Sequence, residues 1–503
     1  MKTDPRLDQA LPKALDGVED GKRVRAVLLL NIVLAAWYFG WLLEPDRAGH
    51  PILYVLLVCA ELFNLVQAAG FWWTIAAARS RKRRVPRTEA VDIFIPTFNE
   101  PIDVVEPTVA AATRIRGADV RVALLDDGGR PEMAALAARH GAMYIAREDH
   151  SGAKAGNINN ALRLTHAPFV VILDCDHVPH PDFLEATTGH LDDGVAFVQT
   201  PQYYANARDG VDAASWAQQA LFFGPIARGK DGLEAMFCCG TNVIFRRGAL
   251  ESVGGFPEGS VTEDFELSIR LHEQGWRTVY VDEVLAHGLA PEDMGSYVTQ
   301  QFRWARGCVS TMPRVLVARL PFRIKAQYLL SAMFFLSGWT LAVYMAMPVM
   351  RLLTGDQPIE TATANTFLMH FAPYFIAAIA TVAMAGGGMY TFEAFALVSA
   401  TWWLHVAASL AALLGLGKRF KVTPKEGNGG RNIGVMVPTL LTAAVLAWAA
   451  VLGLSRSRSP ATLNNVGFAF LHVAVLLRGA MPAFRRHQGL HPESHGPTQL
   501  AAH

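Results

Sequence analysis

Two apolar segments at the start of the chain and five at the end, separated by a polar stretch of about 220 residues, constrain the fold more than any other feature. The apolar windows fall at 26–44, 51–76, 327–350, 366–386, 391–416, 432–454 and 463–480. Most approach the roughly 20 residues that a helix needs to cross a bilayer. Such segments bury their surface in lipid or against one another, whereas the middle stretch is long enough to close a core of its own. With 51% hydrophobic and 18% charged residues over 503 positions, the chain is too apolar for an ordinary soluble protein.

The formal net charge of +1 provides no global basic field, so nucleic acid is not an expected partner. Charge is local instead. Arg79, Arg81, Lys82, Arg83, Arg84 and Arg87 follow the second window directly and read as a cytosolic flank under the positive-inside bias. Two crossings then precede a cytosolic central domain, and the windows at 327–350 and 366–386 form a hairpin that returns the chain to the cytosol. If 391–416 also crossed, the basic GKRFKVTPK after it would lie outside, so this window is expected to lie on the membrane, with Trp402 and Trp403 as interfacial anchors. The last two windows make a final hairpin, for six crossings in all, with seven as the alternative. RVLVARLPFRIKAQYL, ahead of 327, alternates basic and apolar residues as a helix on the inner leaflet would. The polar N-terminus is too long for a signal peptide, and Cys59, Cys175, Cys238, Cys239 and Cys308 show neither zinc spacing nor a disulfide framework.

From residue 91 the pattern is apolar strand, turn, helix, repeated. VDIFIPT, VRVALLD, AMYIA and PFVVIL read as strands, with PIDVVEPTVAAATRI, PEMAALAARH and KAGNINNALRLT as the helices between them. This alternation predicts an α/β domain with a mostly parallel sheet. Ligands gather beyond the carboxyl ends of such strands, where Asn99, Asp126, Asp127, Asp174 and Asp176 fall. Neither GxGxxG nor GxxxxGK[ST] is present at the first turn, which argues against a dinucleotide oxidoreductase and a P-loop ATPase.

Asp174 and Asp176 close an apolar strand at i and i+2, a spacing that turns both carboxylates to one side of an extended chain. Oxygen ligands suit Mg²⁺ or Mn²⁺ with substrate phosphates completing the shell, although Asp is also an ordinary turn residue. Lys154 opens a helix, where its charge and the helix N-terminus favour a diphosphate; a plain surface lysine is the alternative. Thr262-Glu263-Asp264 opens the helix FELSIRLHEQG. It reads equally as a helix start with acids complementing the dipole, or as the site of a carboxylate that deprotonates a sugar hydroxyl. In TQQFRWARG, Gln300, Arg303 and Trp304 share one helical face, offering an amide, a phosphate-binding guanidinium and a flat ring for a sugar; a membrane-interface Trp with a snorkelling Arg competes.

Taken in order across residues 90–310, FIPTFNE, LLDDGG, HSGAKAGNINNAL, ILDCDHVP, VTEDFELSIRLHEQGW and QQFRW resemble the processive family 2 glycosyltransferases of the cellulose synthase type, and FKVTPK at 420–425 extends the match weakly. The resemblance implies a GT-A-type α/β domain inserted between transmembrane helices of a bacterial inner-membrane protein, facing the cytosol. It implies UDP-glucose as donor, a growing β-glucan as acceptor, the bilayer as setting and periplasmic or outer-membrane export proteins as further partners. Donor contacts would fall to Thr97, Asp127, Lys154, Asp174, Asp176, Gln300 and Arg303, with Asp176 at the metal. Asp264, with Glu263 beside it, would be catalytic. Trp304 and the loop Cys239, Gly240, Thr241 and Asn242 would meet the acceptor. Phe420, Val422, Thr423 and Lys425 match a gating loop over the donor, of which Thr423 and Lys425 would touch it. TED with FxVTxK favours a glucan over hyaluronan or chitin, while the linkage stays open between β-1,4, β-1,3 and mixed. A non-processive lipid-directed transferase and a degenerate transport component are the alternatives.

The expected organisation is a cytosolic N-terminus with two transmembrane helices over 1–89, the glycosyltransferase domain over 90–310, interfacial helices and a transmembrane hairpin over 311–417, the gating loop over 418–431, a hairpin over 432–482 and a disordered cytosolic tail over 483–503. With so few residues after the last window, direct activation by cyclic-di-GMP through a β-barrel domain, as in bacterial cellulose synthases, is not expected.

Overall fold

The computed structural model describes residues 21–207, 210–360, 363–388, 390–416 and 432–484. Two long apolar helices come first, α1 (Gly21–Leu42) and α2 (Pro51–Ala76). Pro51 occupies the first turn of α2, where the missing N–H costs nothing and the fixed φ suits a helix start.

The central domain then runs β1 (Val91–Thr97), α3 (Ile102–Ala112), β2 (Val120–Asp126), α4 (Pro131–Arg139), β3 (Met143–Ala146), α5 (Ala153–Leu164), β4 (Phe169–Ile172), β5 (Val178–Pro179), β6 (Val195–Gln199), β7 (Tyr203–Tyr204), α6 (Val211–Leu221), α7 (Ala227–Gly232), β8 (Val243–Arg246), α8 (Glu263–Glu273), β9 (Arg277–Tyr280) and β10 (Ala286–Gly288). Its main sheet has the order β3-β2-β1-β4-β8-β6-β9, and every pair is parallel except those that β8 makes with β4 and β6. A second, small sheet has the order β5-β10-β7. Helices cover both faces of the main sheet, which is why β1 is apolar and buried at nearly every position rather than alternating. Val91, Ile93 and Ile95 pack on one side with Leu124 and Leu136; Phe94 packs on the other with Ala123, Ile158 and Leu250. With β3, β2, β1 and β4 parallel, their carboxyl ends share one edge.

Beyond the domain lie α9 (Met294–Val317), α10 (Phe322–Phe334), α11 (Ser337–Thr354), α12 (Ala364–Ala385), α13 (Phe392–Ala400), α14 (Trp402–Leu413), α15 (Val437–Arg456) and α16 (Pro460–Ala480). Among the described residues, five helices are long and apolar enough to cross a membrane, and as many as seven spans result if two bent pairs each count as one. The bends correct the sequence reading. The window 327–350 is not one straight helix: α10 and α11 meet at 47°, and the bend seats Gly338 so close to α14 that a Cβ there would lie 2.3 Å from the Trp402 carbonyl oxygen. The window 391–416 breaks by 48° between α13 and α14. At that break the Thr401 hydroxyl donates to the carbonyls of Leu397 (3.0 Å) and Val398 (3.2 Å), a back-bond that bends helices. Trp402 and Trp403, read as interfacial anchors, are half-buried, Trp402 packed against the cluster that holds Met345 and Leu446, Trp403 against that of Leu404 and Ala408. Nor does one helix cover 314–325, because α9 ends at Val317 and a new helix starts after Pro321.

The basic run after α2 has found partners in the domain. The buried Asp231 carboxylate accepts from Arg79 Nε (2.6 Å), Arg81 Nε (2.8 Å) and the Tyr280 amide (2.9 Å). Arg83 reaches Asp182 and Glu283, and Arg84 reaches Asp192. Beside this strap, α7 lies directly on the end of α2: a Cβ on Gly229 would sit 2.0 Å from the Thr74 carbonyl oxygen, and one on Gly232 would sit 1.8 Å from that of Ala77. Exposed ion pairs contribute about 0–1 kcal/mol each, whereas removing one partner of a buried pair costs about 3–5 kcal/mol. Asp231→Ala is therefore expected to lower the melting temperature of the purified protein by several degrees, while Asp192→Ala leaves it within a degree or two; equal effects would show that the strap is no more than surface charge.

Candidate active site

The site begins where β4 stops. Asp174-Cys175-Asp176 is not extended, as its i, i+2 spacing suggested, but turns: the His177 amide donates to the Asp174 carbonyl at 2.9 Å. The turn still gathers the acids and adds a neighbour. One ligand atom from each of Asp174, Asp176 and His177 lies within 4.8 Å of the others. His177 Nδ1 sits 3.2 Å from Asp176 Oδ1, and both residues are buried. Two carboxylates and an imidazole in that span form a donor set that suits Mg²⁺ or Mn²⁺ with room left for phosphate oxygens. His177 escapes the sequence reading because a single histidine after a pair of acids has no spacing signal of its own.

Lys154, at the start of α5, donates to Asp174 Oδ1 (2.5 Å) and to the Gly240 carbonyl (2.8 Å). It thereby ties three segments that are distant in sequence. Burial works against its charge, but Asp174, Glu263 and Asp264 prevail and hold its pKa above the ordinary value. Gly240 has φ +83°, and a Cβ there would lie 3.0 Å from Asp264 Oδ2. Only glycine allows both this conformation and this approach. Asp264 itself lies in the first turn of α8, where its Oδ1 accepts from the Phe265 amide at 2.7 Å. Burial, then the charge of Glu263, push its pKa up to about 7 against the opposing pull of Lys154 and Arg303. A carboxylate so placed titrates where a general base works best. Thr262 occupies the N-cap position of α8, yet its side chain makes no capping bond.

The loop Cys239–Asn242 divides by function. Cys239 and Gly240 remain partly exposed, whereas Thr241 and Asn242 are buried. Thr241 Oγ1 accepts from the Asp174 amide (2.8 Å), and Asn242, held at φ +52°, donates to the Pro201 carbonyl (3.1 Å). The side chains of Thr241 and Asn242, expected at the acceptor, are thus buried in hydrogen bonds that hold the loop. Gln199 assists, accepting from the Cys239 amide (2.9 Å) and donating to the Thr241 carbonyl (2.8 Å).

At the end of β2 the two acids also part company. Asp126 is fully buried and used up by Arg130, the Gly128 amide and the Tyr144 hydroxyl. Asp127 is gripped by Arg147 through both carboxylate oxygens, with Nη2 at 2.8 Å from Oδ2. Arg147 also donates to the carbonyls of Ser151 and Ala153, so it links Asp127 to the start of α5. It stands at the end of β3, and the strand-end rule that found the acids applies to it equally. Thr97 is buried, donating to Glu100 (2.8 Å) and accepting from Arg130 (3.0 Å), while its carbonyl accepts from the Asp127 amide (2.9 Å). Its hydroxyl links Glu100 to Arg130 beside the β2 turn.

Gln300, Arg303 and Trp304 lie together on α9, all partly exposed. The helix is seated on α8 by Gly307, where a Cβ would lie 2.2 Å from Thr262 Cγ2. This close crossing brings the Gln300–Trp304 face alongside Asp264, and Arg303 contributes to the field at that carboxylate. Phe420, Val422, Thr423 and Lys425 lie outside the described residues.

A family model described as glycosyl transferase family group 2 matches residues 169–414, from β4 to the end of α14. The catalytic subunit of cellulose synthase 1 (UDP-forming) from Komagataeibacter xylinus is 32% identical over 449 residues, covering 85% of this chain and 60% of its own length. The UDP-forming cellulose synthase catalytic subunit of Xanthomonas axonopodis pv. citri is 35% identical over 307 residues, 57% of this chain and 42% of its own length. The chain is similar to the family 2 glycosyltransferases of the cellulose synthase type. This glycosyltransferase spans between 29% and 61% of the length of the curated relatives it matches. Its architecture is GT-A: a mannosyltransferase from Pyrobaculum calidifontis, solved with GDP-mannose and Mn²⁺, superimposes with a TM-score of 0.54 at 17% identity, covering 72% of this chain and 99% of that one.

Proposed function

We propose that this glycosyltransferase transfers glucose from UDP-glucose, with inversion, to a hydroxyl at the growing end of a β-glucan, repeatedly and in step with export of the polymer through its own membrane helices. The observation that carries the reading is the convergence of Lys154, Asp174, Gly240 and Asp264 beneath α9 in a cellulose synthase-like chain. Asp176, with Asp174 and His177, would hold a divalent cation, Mg²⁺ or Mn²⁺, which would supply charge neutralisation for the departing UDP. The protein supplies the rest. Asp264 takes the proton from the attacking hydroxyl, and Glu263 beside it keeps the base poised near neutrality. Lys154, Gln300 and Arg303 fix the diphosphate, Asp127 with Arg147 bounds the nucleoside end, and Trp304 offers a ring face to the acceptor beside Cys239 and Gly240. One base suffices, since the leaving group is a phosphate that needs no acid to protonate it.

On this reading the catalytic domain faces the cytosol of a bacterial inner-membrane protein, and the helices on both sides of it shield the glucan, whose hydroxyls would otherwise lose their water across about 30 Å of hydrocarbon. Periplasmic or outer-membrane proteins receive the product. Labelled UDP-glucose and UDP-N-acetylglucosamine, offered separately to the purified protein with Mg²⁺ or Mn²⁺, test the assignment. Polymer from UDP-glucose, at a kcat/KM at least about 100-fold above that for the N-acetyl donor, is the expected result. Comparable values, or a single-sugar lipid product, would sink it. Linkage-specific glucanases then define the bond, and sealed vesicles show whether product made outside is protected within.

A further inference from the structure

Among the described residues, one buried arginine beside the site has no acidic counterpart. Arg306, on α9, is only 8% exposed. Its Nε has no hydrogen-bond partner, and among the described residues no carboxylate pairs with it. The other deeply buried arginines are treated differently: Arg228 pairs with Asp282 at 2.6 Å and Arg247 with Asp92 at 2.8 Å. A guanidinium keeps its proton, so burial without a counter-charge is costly and leaves the group ready to pair with an anionic ligand. Two further buried polar atoms without partners lie on the same part of the site, Gln300 Oε1 on α9 and Thr262 Oγ1 at the start of α8.

The position of Arg306 limits what that ligand is. It lies three residues beyond Arg303, about 4.5 Å along the helix and about 60° around it, so the two side chains can converge on one group. The next residue, Gly307, is the point at which α9 touches Thr262, two residues before Asp264. Arg306 therefore projects from the part of α9 that is pinned to the catalytic helix. We infer that Arg306 is a second diphosphate-binding arginine, which pairs with the phosphate oxygens of the nucleotide alongside Arg303. The planar fork of guanidinium donors matches phosphate geometry, and no carboxylate of the described residues competes for it. Held in this way, the diphosphate carries its compensating charge from the floor of α9 as well as from Lys154. The inference rests on the nucleotide-sugar reading of the site. A phospholipid headgroup presents the same phosphate chemistry at a membrane-adjacent helix, and the test separates the two.

The full-length protein in nanodiscs, as wild type, Arg306→Met and Arg306→Lys, is titrated with UDP, and separately with uridine, in the presence of Mg²⁺. The Met variant is expected to bind UDP about 10- to 100-fold more weakly and uridine unchanged, with Lys in between. Without nucleotide, its melting temperature should equal or exceed that of the wild type, because the substitution removes a buried charge that nothing balances, and the stabilisation by UDP should shrink. UDP affinity of the Met variant within twofold of the wild type overturns the inference, as does an equal loss for uridine, which would indicate a distorted pocket. If the Met variant fails to fold, the Lys variant decides by the same UDP and uridine comparison. Nanodiscs with and without phosphatidylglycerol complete the set: loss of a response to anionic lipid with UDP affinity intact assigns Arg306 to a headgroup and overturns its nucleotide role. A wild type that binds no UDP at all refutes the donor reading itself, whereas a wild type and variant that bind it equally refute only the role of Arg306.

Discussion

Replacing Asp264 by Asn is expected to lower turnover by about 10²–10⁴-fold while leaving UDP affinity within about twofold. The substitution removes a proton acceptor and almost no volume, and the carboxylate accepts from the neighbouring Phe265 amide through an oxygen that Asn retains. A loss of UDP binding as large as the loss of rate would identify Asp264 as a donor ligand instead. The pH profile provides an independent check. The base works ionised, and burial with the charge of Glu263 raises its pKa to about 7. Turnover should therefore fall as pH drops through about 7, roughly tenfold per unit below it, whereas an ordinary aspartate would stay ionised and active down to about pH 4. Lys154 pulls that pKa down, so Lys154→Met should move the acidic limb to higher pH, in addition to weakening donor binding. A limb that stays near pH 4 in the wild type would remove Asp264 from the role of base.

Chelation of divalent cations should stop synthesis, and Asp176→Asn should make UDP binding nearly independent of metal, with a loss of about 100-fold or more in rate. Asp176 is buried beside His177, and Asn can neither balance a dication nor replace the carboxylate in that contact. Titration of UDP at several Mg²⁺ and Mn²⁺ concentrations measures the coupling directly. Unchanged metal dependence in the variant would place the cation elsewhere.

Strands with both faces buried leave a plain mark in the sequence, which is why the runs ending at Thr97, Asp126 and Ile172, and the residues beyond their carboxyl ends, were legible before any coordinates. What the strand-end rule cannot tell is which end residue faces a ligand and which is consumed by the protein. Asp126 and Asp127 are adjacent and identical in type, yet one is enclosed by Arg130 and Tyr144 and the other is held by Arg147. Thr241 and Asn242 are spent in the same way on the backbone of their neighbours. Such outcomes depend on donors brought in from elsewhere in the chain, as when Lys154 meets a carbonyl 86 positions away. The helix bends escaped for a different reason. Hydropathy records how long a segment stays apolar, not whether a threonine hydroxyl such as that of Thr401 competes for the carbonyls of its own helix.

The strap and the glycine contact also define how this protein could be recombined. An exchange of catalytic domains between relatives would seem natural at residue 90, between the last membrane helix and the first strand. That cut would separate Arg79 and Arg81 from Asp231, and Arg83 from Asp182 and Glu283. It would also set a foreign backbone, and any side chain at the positions of Gly229 and Gly232, against the end of α2. A workable chimera has its junction before Thr74, so that the last turn of the helix, the basic run and the acids that receive it travel as one inherited block.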